Sequence, residues 1–473
     1  MDFAFREVEV NLNVTRSLRE VNYQFNAMQE TSRREFLAST GLRGAAMAAS
    51  WAAAGALRAA PNEQLVGVSQ RLPETNLVLP TDALAPSKGR KKRLAAIATA
   101  YWKYSHADDI ITKFIEGYDI VGRVHVPHCQ IVGLHIEQFP PTDIGRGLAT
   151  RYRIPLFDTP AEALTRGKAS LDIDGVLLIA EHGDYPVNDR GQKMYPRRRL
   201  FEEIVKVFRR MGQAAPVYTD KHFSWSWEDA AWMYGQSREL GFPMMAGSSV
   251  PVAWRRPPLS FGPGVRIRGA LSVGHGGLES YGFHALELLQ AFVEKRPGGE
   301  TGVKAVEVLQ GDAVWRAARE GRWRLDLLEA VLDVAPHSGE RPRGLEAIAQ
   351  RDREATVFLI EYRDGFRAAT YMSRRLVPEF CFAADVEGVE KPVATWAYLS
   401  KPARDHFSFL CNHVEVMFRT GRPSYPVERT YLVTGVLAAL MDSLHADGKP
   451  VETPHLRNVA YTPVDEAITP WRG

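Results

Sequence analysis

The alternation of short apolar runs with amphipathic stretches between residues 94 and 247 limits the fold of this chain more than any other feature. The run at 175–180 is almost wholly apolar, which is typical of a strand buried on both faces of a parallel sheet. After it, Leu200, Ile204 and Phe208 recur at helical spacing. The predicted strands span residues 94–98, 130–136, 175–180, 216–219 and 242–247. The predicted helices span residues 108–118, 143–152, 197–211 and 227–240.

Strands and helices that alternate at these lengths predict an α/β fold with an open, doubly wound parallel sheet. Ligands in such sheets bind beyond the carboxyl ends of the strands, where the strand order reverses. The residues that follow the predicted strands are therefore expected to surround one crevice. These residues are 99–106, Glu137, 181–185 and 220–222.

The second half of the chain has a different pattern. Residues 356–362 and 366–372 are apolar runs on either side of an Asp-Gly pair at 364–365, which is a hairpin signal. Further strands are predicted at 265–272 and 302–310, and helices at 281–294, 403–420 and 427–446. These elements indicate an α+β domain with a mostly antiparallel sheet. We expect the parallel-sheet domain to span residues 91–250 and the α+β domain to span residues 251–473.

The beginning of the chain carries an export pattern. An Arg-Arg pair at 33–34 precedes a weakly apolar, Ala-rich stretch at 38–60 that ends in small residues. This is the twin-arginine pattern, and it predicts an exported, periplasmic protein. The other interpretation is a surface arginine pair beside an Ala-rich helix. Glycines and Arg43 interrupt the stretch, and no other part of the chain has the ~18 apolar residues of a membrane span.

The domain limits at this end follow from the same pattern. Residues 1–60 are predicted to be the signal region, with Met1 or Met28 as the true start. Residues 61–90 are rich in Pro, Thr, Ser and Asn without a period, which predicts a linker or a surface arm.

Composition excludes several classes of protein. The chain has 473 residues, with 59 Lys and Arg against 56 Asp and Glu, so the net charge of +3 is not that of a nucleic-acid binder. Its three cysteines, Cys129, Cys381 and Cys411, are too few and too far apart for a disulfide framework or a Cys-x-x-Cys metal pair. We expect each of them to be a small buried hydrophobic residue.

Two motifs at the predicted crevice carry a resemblance to a known family. Lys221 lies in an Asp-Lys-His triplet at 220–222, directly after a predicted strand. His284 ends the stretch Ser-Tyr-Gly-Phe-His at 280–284, which opens a predicted helix. This order resembles the glucose–fructose oxidoreductase / inositol dehydrogenase (Gfo/Idh/MocA) family, whose Glu-Lys-Pro and Asp-x-Gly-x-His motifs hold a catalytic lysine and an acid/base histidine. The resemblance covers roughly residues 91–460.

The resemblance implies a Rossmann-like domain with NAD or NADP held tightly, a sugar or cyclitol substrate that is oxidised at a hydroxyl, and a homo-oligomer. In that reaction Lys221 would stabilise the oxyanion and His284 would be the base. Glu287, one helical turn after His284, is expected to orient that ring. The expected cofactor-binding residues are Ala98, Ala100, Tyr101, Trp102, Glu137, Glu181 and His182.

Some residues depart from the family pattern. Ala98, Ala100 and Lys103 stand at the three glycine positions of the dinucleotide-binding turn. The acid expected on the ribose is Glu137, although a slip of one residue would put Ile136 there. Two hypotheses therefore stay open. One is an exported Gfo/Idh/MocA-like oxidoreductase with NAD(P), and the other is a cofactor-less periplasmic ligand-binding protein or metal-assisted enzyme that uses the same cleft.

Each candidate residue also has a purely structural interpretation. Lys221 could be a surface lysine at a strand end, and His284 could be a histidine satisfied within the core. Glu181, His182 and His222 are metal-ligand types, but they lack the tight spacing of a metal motif, so no metal site is predicted. The occurrence of Lys221 and His284 together, in the family's order, favours function.

Overall fold

The computed structural model describes residues 68–69, 89–120, 123–336, 341–401 and 404–464. The predicted signal region and almost all of the predicted linker lie outside these residues. Among the helices within the described ranges, none combines the length and the apolar character needed to cross a membrane.

The first sheet is parallel throughout. Its strands are β1 (Lys92–Ala100), β2 (Cys129–Gln138), β3 (Gly175–Ile179), β4 (Val217–Asp220) and β5 (Met244–Gly247). They pair in the order β2-β1-β3-β4-β5, and β3, β4 and β5 are buried at every residue because helices cover both faces. Since β2 and β3 lie on opposite sides of β1, the strand order reverses there, and the crevice is at the carboxyl ends of β1 and β3. The predicted doubly wound α/β fold is confirmed.

The helices of this part follow local signals. A π-helical turn at Asp108–Thr112 leads into α1 (Lys113–Glu116), and the other helices are α2 (Gly145–Tyr152), α3 (Pro160–Thr165), α4 (Arg197–Met211) and α5 (Trp227–Glu239). The Ser226 side chain caps α5 by accepting a hydrogen bond from the Asp229 amide.

The predicted helix at 108–118 was too long. It stops at Glu116 because Gly117, with a φ of +87°, turns the chain into a strand at Tyr118–Ile120 that pairs with Arg123–His125.

The second sheet has eight strands. They are β6 (Trp254–Arg256), β7 (Ile267–His275), β8 (Val303–Gln310), β9 (Thr356–Tyr362), β10 (Arg367–Ser373), β11 (Phe380–Val386), β12 (Val393–Tyr398) and β13 (Val451–Glu452). Their order is β13-β8-β9-β10-β7-β11-β12-β6, and every neighbouring pair is antiparallel except β7 and β10. The predicted mostly antiparallel sheet is confirmed, including the β9–β10 hairpin with Gly365 at a φ of +84°.

Helices cover both faces of this sheet. The helices of the second half are α6 (Gly282–Val293), α7 (Asp312–Arg319), α8 (Leu325–Val334), α9 (Gly344–Arg351), α10 (Asp405–Thr420) and α11 (Val427–His445). Of these, α10 packs on the first sheet rather than on a face of the second. Helices α6 and α11 pack on one face, and α7 and α8 pack on the other. The sequence analysis missed β11, β12 and helices α7 to α9. The strand β11 is buried at every residue, so it shows no polar alternation. All three cysteines are buried and unpaired, as predicted.

Candidate functional site

Residues from both sheets meet at the carboxyl ends of β1, β3 and β4. The Thr99 hydroxyl lies 3.0 Å from the carbonyl oxygens of both Glu181 and His182, so it ties the end of β1 to the end of β3. Lys221 follows β4 directly, and its amide donates to the carbonyl of Gly247, at the end of β5, over 3.2 Å. The point of strand reversal is thus held by hydrogen bonds, and the side chains of the site project from a rigid frame.

Lys221 is buried within the site and is not a surface lysine. Its side chain donates to the carbonyl of Ser280 at 3.2 Å and lies 3.4 Å from Glu181 Oε1. Its φ of +66° is in the left-handed region, which is rare for a lysine and indicates that the surroundings hold it there. The strand-end position predicted from the sequence therefore becomes a fixed, buried cation between the two sheets.

Glu181 is the carboxylate that balances this cation. Arg197, at the start of α4, pairs with the other side of the same carboxylate. Burial alone would raise the pKa of Glu181, but Lys221 and Arg197 outweigh burial and hold that pKa well below its ordinary value. Glu181 is therefore ionised at neutral pH. Its expected role was at the cofactor, whereas the structure places it as a partner of Lys221.

His284 lies in the same cleft, at the start of α6. Its Nδ1 is 2.6 Å from the Ser248 hydroxyl, and its ring is 6.4 Å from that of His106. Burial, together with the charge of Lys221, lowers the pKa of His284 far below its usual value, so the ring is neutral at pH 7. With Nδ1 occupied by Ser248, Nε2 is the nitrogen left for a ligand.

Glu287 does not touch His284, contrary to the expected orienting contact. Its Oε2 accepts the Ser248 amide at 3.3 Å instead, and it lies against Gly247, where an added Cβ would come within 2.7 Å of that oxygen. Ser248 therefore holds the His284 ring, and Glu287 holds the backbone of Ser248. Complete burial raises the pKa of Glu287 to about 7.

Glu287→Gln is expected to stabilise the protein more at pH 8 than at pH 5. A carboxyl group whose pKa rises on folding loses stability as pH increases from the unfolded pKa, near 4.5, to the folded pKa, near 7. Glutamine does not titrate, so the gain should be near zero at pH 5 and on the order of 1–3 kcal/mol at pH 8. Urea denaturation at both pH values measures the difference. The exposed control Glu320→Gln should stay within about 0.5 kcal/mol of the parent protein at both pH values, and equal effects of the two substitutions would contradict the prediction.

A group of rings surrounds the opening of the cleft. His106 Nδ1 is 2.6 Å from Asp220 Oδ2, and the His106 ring lies 5.3 Å from that of His182. The His182 ring packs against Trp102 at 5.0 Å, and burial lowers its pKa to about 4. His182 Nε2 is buried and has no hydrogen-bond partner within the described ranges, which is the environment of a group that a ligand or water satisfies.

The sequence analysis missed several residues of this site. Arg197 and Ser248 contact the predicted residues, but neither belongs to a motif that the sequence analysis used. His106 lies within residues 99–106, which were expected at the crevice, but no role was assigned to it. A second pair, His222 and Glu279, lies beside Arg197, with His222 Nε2 at 3.2 Å from Glu279 Oε1. Asp220, directly before Lys221 in the sequence, was the one signal that could have pointed to these additional contacts.

The turn after β1 is the predicted dinucleotide-binding turn, so its contacts test whether a nicotinamide cofactor fits. Ala98 and Ala100 are fully buried in β1, paired with Ile136 and Gln138. The next residue, Tyr101, is also fully buried, with its hydroxyl 2.8 Å from that of Thr112. These side chains therefore serve the core of the sheet.

The amides of this turn are already bonded within it. The Ser105 amide donates to the Trp102 carbonyl at 2.9 Å, and the Ser105 hydroxyl accepts from the Trp102 amide at 3.2 Å. The Tyr104 amide donates to Asp108 Oδ2 at 2.9 Å. A turn that holds phosphate needs such amides to be free.

Two carboxylates then occupy the start of the helix. Asp108 and Asp109 are buried, with Lys103 Nζ 3.0 Å from Asp108 and Arg404 Nη1 2.9 Å from Asp109. Phosphate binds a helix N-terminus because the free amides and the dipole are positive there. Side-chain carboxylates already use that potential here, and they would repel a pyrophosphate.

Glu137 is also engaged. The Tyr185 hydroxyl donates to Glu137 Oε1 at 2.6 Å, and Arg199 pairs with Glu137 Oε2. Taken with the turn after β1, the described residues do not fit the pyrophosphate and ribose of NAD or NADP. Metal ligation also lacks support from geometry, since the described ranges contain no group of three or more His, Cys, Asp or Glu side chains placed to hold an ion.

Comparisons with known proteins found similarity to solved structures alone. No family model and no curated protein matches the chain. Similar solved structures include GenD2 from gentamicin A biosynthesis in complex with NAD, with 15% identity, a TM-score of 0.48, and coverage of 78% of this chain and 99% of that one. The apo scyllo-inositol dehydrogenase of Lactobacillus casei has 9% identity, a TM-score of 0.46, and coverage of 77% and 99%. A myo-inositol dehydrogenase of Corynebacterium glutamicum has 12% identity, a TM-score of 0.45, and coverage of 76% and 98%. At such low identities the function must be argued from this chain's own residues.

Proposed function

We propose that the cleft binds a sugar- or cyclitol-like molecule and that Lys221 and His284 act on one of its hydroxyl groups. The convergence of the two side chains carries this proposal. One follows a strand of the first sheet and the other opens a helix of the second, and the charge of Lys221 contributes to the low pKa of His284. A fixed cation beside a neutral imidazole is the pair that proton transfer at a hydroxyl requires.

Each side chain of the cleft has its own role toward the ligand. The Lys221 ammonium stabilises negative charge on the ligand oxygen, and Glu181 and the Ser280 carbonyl hold it in place. Nε2 of His284 exchanges the proton, since Ser248 holds Nδ1. The unpartnered His182 Nε2 is available for a second polar group of the ligand.

Two reactions fit this arrangement. The resemblance of Lys221 and His284 to the Gfo/Idh/MocA pair supports a sugar or cyclitol oxidoreductase, which needs NAD or NADP as the hydride acceptor. The carboxylates at the start of the helix and the engaged Glu137 favour the other hypothesis, a cofactor-less ligand-binding protein or metal-assisted enzyme that uses the same cleft. Of these two forms we propose the ligand-binding one, in which Lys221 and His284 form hydrogen bonds with a ligand hydroxyl, because the described ranges contain no group of side chains placed to hold a metal ion. The Arg-Arg pattern at 33–34 supports export, and we propose that the protein works in the periplasm.

The test is mass spectrometry of the protein after denaturation, together with calorimetric titration of NAD and NADP. We expect no released nucleotide and no binding below about 1 mM, because the turn after β1 offers a pyrophosphate no free site. A panel of neutral and anionic sugars and cyclitols is titrated in parallel and is expected to contain a ligand. Release of a stoichiometric nucleotide would overturn the cofactor-free conclusion and establish the oxidoreductase instead. A panel without any ligand would contradict the proposed function itself.

A further inference from the structure

A cavity of about 480 Å³ opens where β7 and β10 end. These strands run parallel, with His275 paired to Ser373, and the chain continues from His275 into the loop before His284. Four arginines line the cavity, and the described residues contribute no aspartate or glutamate to its lining. The arginines are Arg341, Arg351, Arg374 and Arg375.

The loop that carries two of these arginines is rigid. Asp352 is fully buried and accepts hydrogen bonds from the amides of Arg374 and Arg375, each at 3.1 Å. It also accepts from the hydroxyls of Tyr371 and Ser373, at 2.9 and 3.1 Å. A buried carboxylate therefore holds the backbone from which the exposed side chains of these two arginines extend.

The positive charge of the cavity is largely unbalanced. Among the described residues, Arg341 is the one of the four arginines whose guanidinium group pairs with a carboxylate, that of Asp333, at 3.6 Å. In the described ranges, the guanidinium groups of Arg351, Arg374 and Arg375 have no carboxylate partner. Guanidinium groups bind oxyanions through paired N–H donors, and exposed groups of like charge repel one another until an anion joins them.

The cavity is connected to the candidate site by aromatic rings. His275 lines the cavity, and its ring lies 5.1 Å from Phe380 and 5.2 Å from Tyr281. The His284 ring is 5.6 Å from that of Phe380 and 6.2 Å from that of Tyr281. Tyr281 is 42% exposed, so this ring surface is open to a ligand. Sugar rings pack on such surfaces through their C–H faces.

We propose that the arginine cavity binds an anionic group, a phosphate, sulfate or carboxylate, carried by the same sugar or cyclitol whose hydroxyl meets Lys221 and His284. This inference rests on the proposed function and narrows it to anionic ligands. The ligand ring then lies along the exposed ring of Tyr281, with its charged end among the arginines and its hydroxyl at His284.

The test compares three proteins: the parent chain, Arg374→Gln/Arg375→Gln, and the control Arg209→Gln/Arg210→Gln. The control removes the same charge from a pair of exposed neighbouring arginines on α4 that do not line the cavity. Sodium phosphate and sodium sulfate are titrated by calorimetry at constant ionic strength, as are glucose, glucose 6-phosphate, glucose 6-sulfate and glucuronate. Circular dichroism verifies that all three proteins are folded.

We expect at least one inorganic anion, and the sugar that carries the same group, to bind the parent and the control about tenfold or more tightly than the cavity variant. The anion whose affinity falls most in the cavity variant identifies the bound group as phosphate, sulfate or carboxylate. Equal affinities in the three proteins, or no anion binding below about 10 mM, would overturn the inference. Arginine-dependent anion binding without any sugar binding would uphold the cavity and contradict the proposed function. Sugar binding with the same affinity whether or not the sugar carries an anionic group would uphold the proposed function and contradict the anion-binding cavity.

Discussion

Replacement of Lys221 by methionine is expected to weaken binding of the ligand found in the sugar panel by about 10–100-fold, because a hydrogen bond from a charged group is lost. Methionine keeps the length and the apolar stem of lysine but removes the charge that would stabilise the ligand oxygen. Glu181 keeps Arg197 as its partner, so the fold should survive. His284→Gln is expected to give a loss of similar size, because the exchanging nitrogen is removed.

The matched control for Lys221 is Lys206→Met on α4. Lys206 is exposed and pairs with Glu202 at 3.2 Å, four residues away on the same helix. Its replacement should leave kinetics and affinity unchanged. The measurement is calorimetric titration of the panel ligand, and a steady-state rate where that ligand also reacts. Thermal unfolding establishes that each variant is native. Parent-like behaviour of both Lys221→Met and His284→Gln would remove the site assignment.

Arg429→Met is expected to produce the largest loss of stability, about 3–5 kcal/mol. Arg429, on α11, is buried and donates to both oxygens of Glu294, from Nε at 2.8 Å and from Nη2 at 2.5 Å. Glu294 is fully buried and also accepts the Tyr461 hydroxyl at 2.8 Å. Loss of the guanidinium leaves a buried carboxylate without its countercharge, which is far more costly than loss of an exposed pair.

Urea denaturation tests this with two further proteins. The surface pair of Arg457 and Glu452 has its atoms 2.8 Å apart but is about half exposed, with side-chain exposures of 46% and 66%. Arg457→Met should therefore cost less than about 1 kcal/mol. The double variant Arg429→Met/Glu294→Gln should recover part of the loss, because it no longer buries a lone charge. Equal losses from Arg429→Met and Arg457→Met would refute the prediction.

Patterns that depend on neighbouring residues were predicted correctly from the sequence. The apolar run at 175–180 and the helical spacing of Leu200, Ile204 and Phe208 placed β3 and α4. The Asp-Gly pair placed the turn between β9 and β10. Errors occurred where such signals fail. The strand β11 is buried on both faces and shows no alternation, and the short helix after β1 ends at a glycine within an otherwise helical pattern.

The candidate site was only partly predictable. Lys221 and His284 were singled out because their motifs, next to a predicted strand and at the start of a predicted helix, resemble those of the Gfo/Idh/MocA family. Glu287 was assigned to His284 by helical spacing alone, yet Ser248, 36 residues before His284, makes the contact.

The sequence by itself determined the two sheets and the crevice at the strand ends, because these follow from periodicity and from positions next to strands and helices. The pair of Lys221 and His284 was predicted from the resemblance of their motifs to the Gfo/Idh/MocA family. The tertiary structure alone decided what those residues do. In the folded chain Arg197 and Lys221 both pair with Glu181, and Asp108 accepts a hydrogen bond from the turn after β1. Four arginines line a cavity beside His275. Packing brings together side chains whose separation along the chain carries no signal, and charge and burial, which set the chemistry of each group, exist only after that packing.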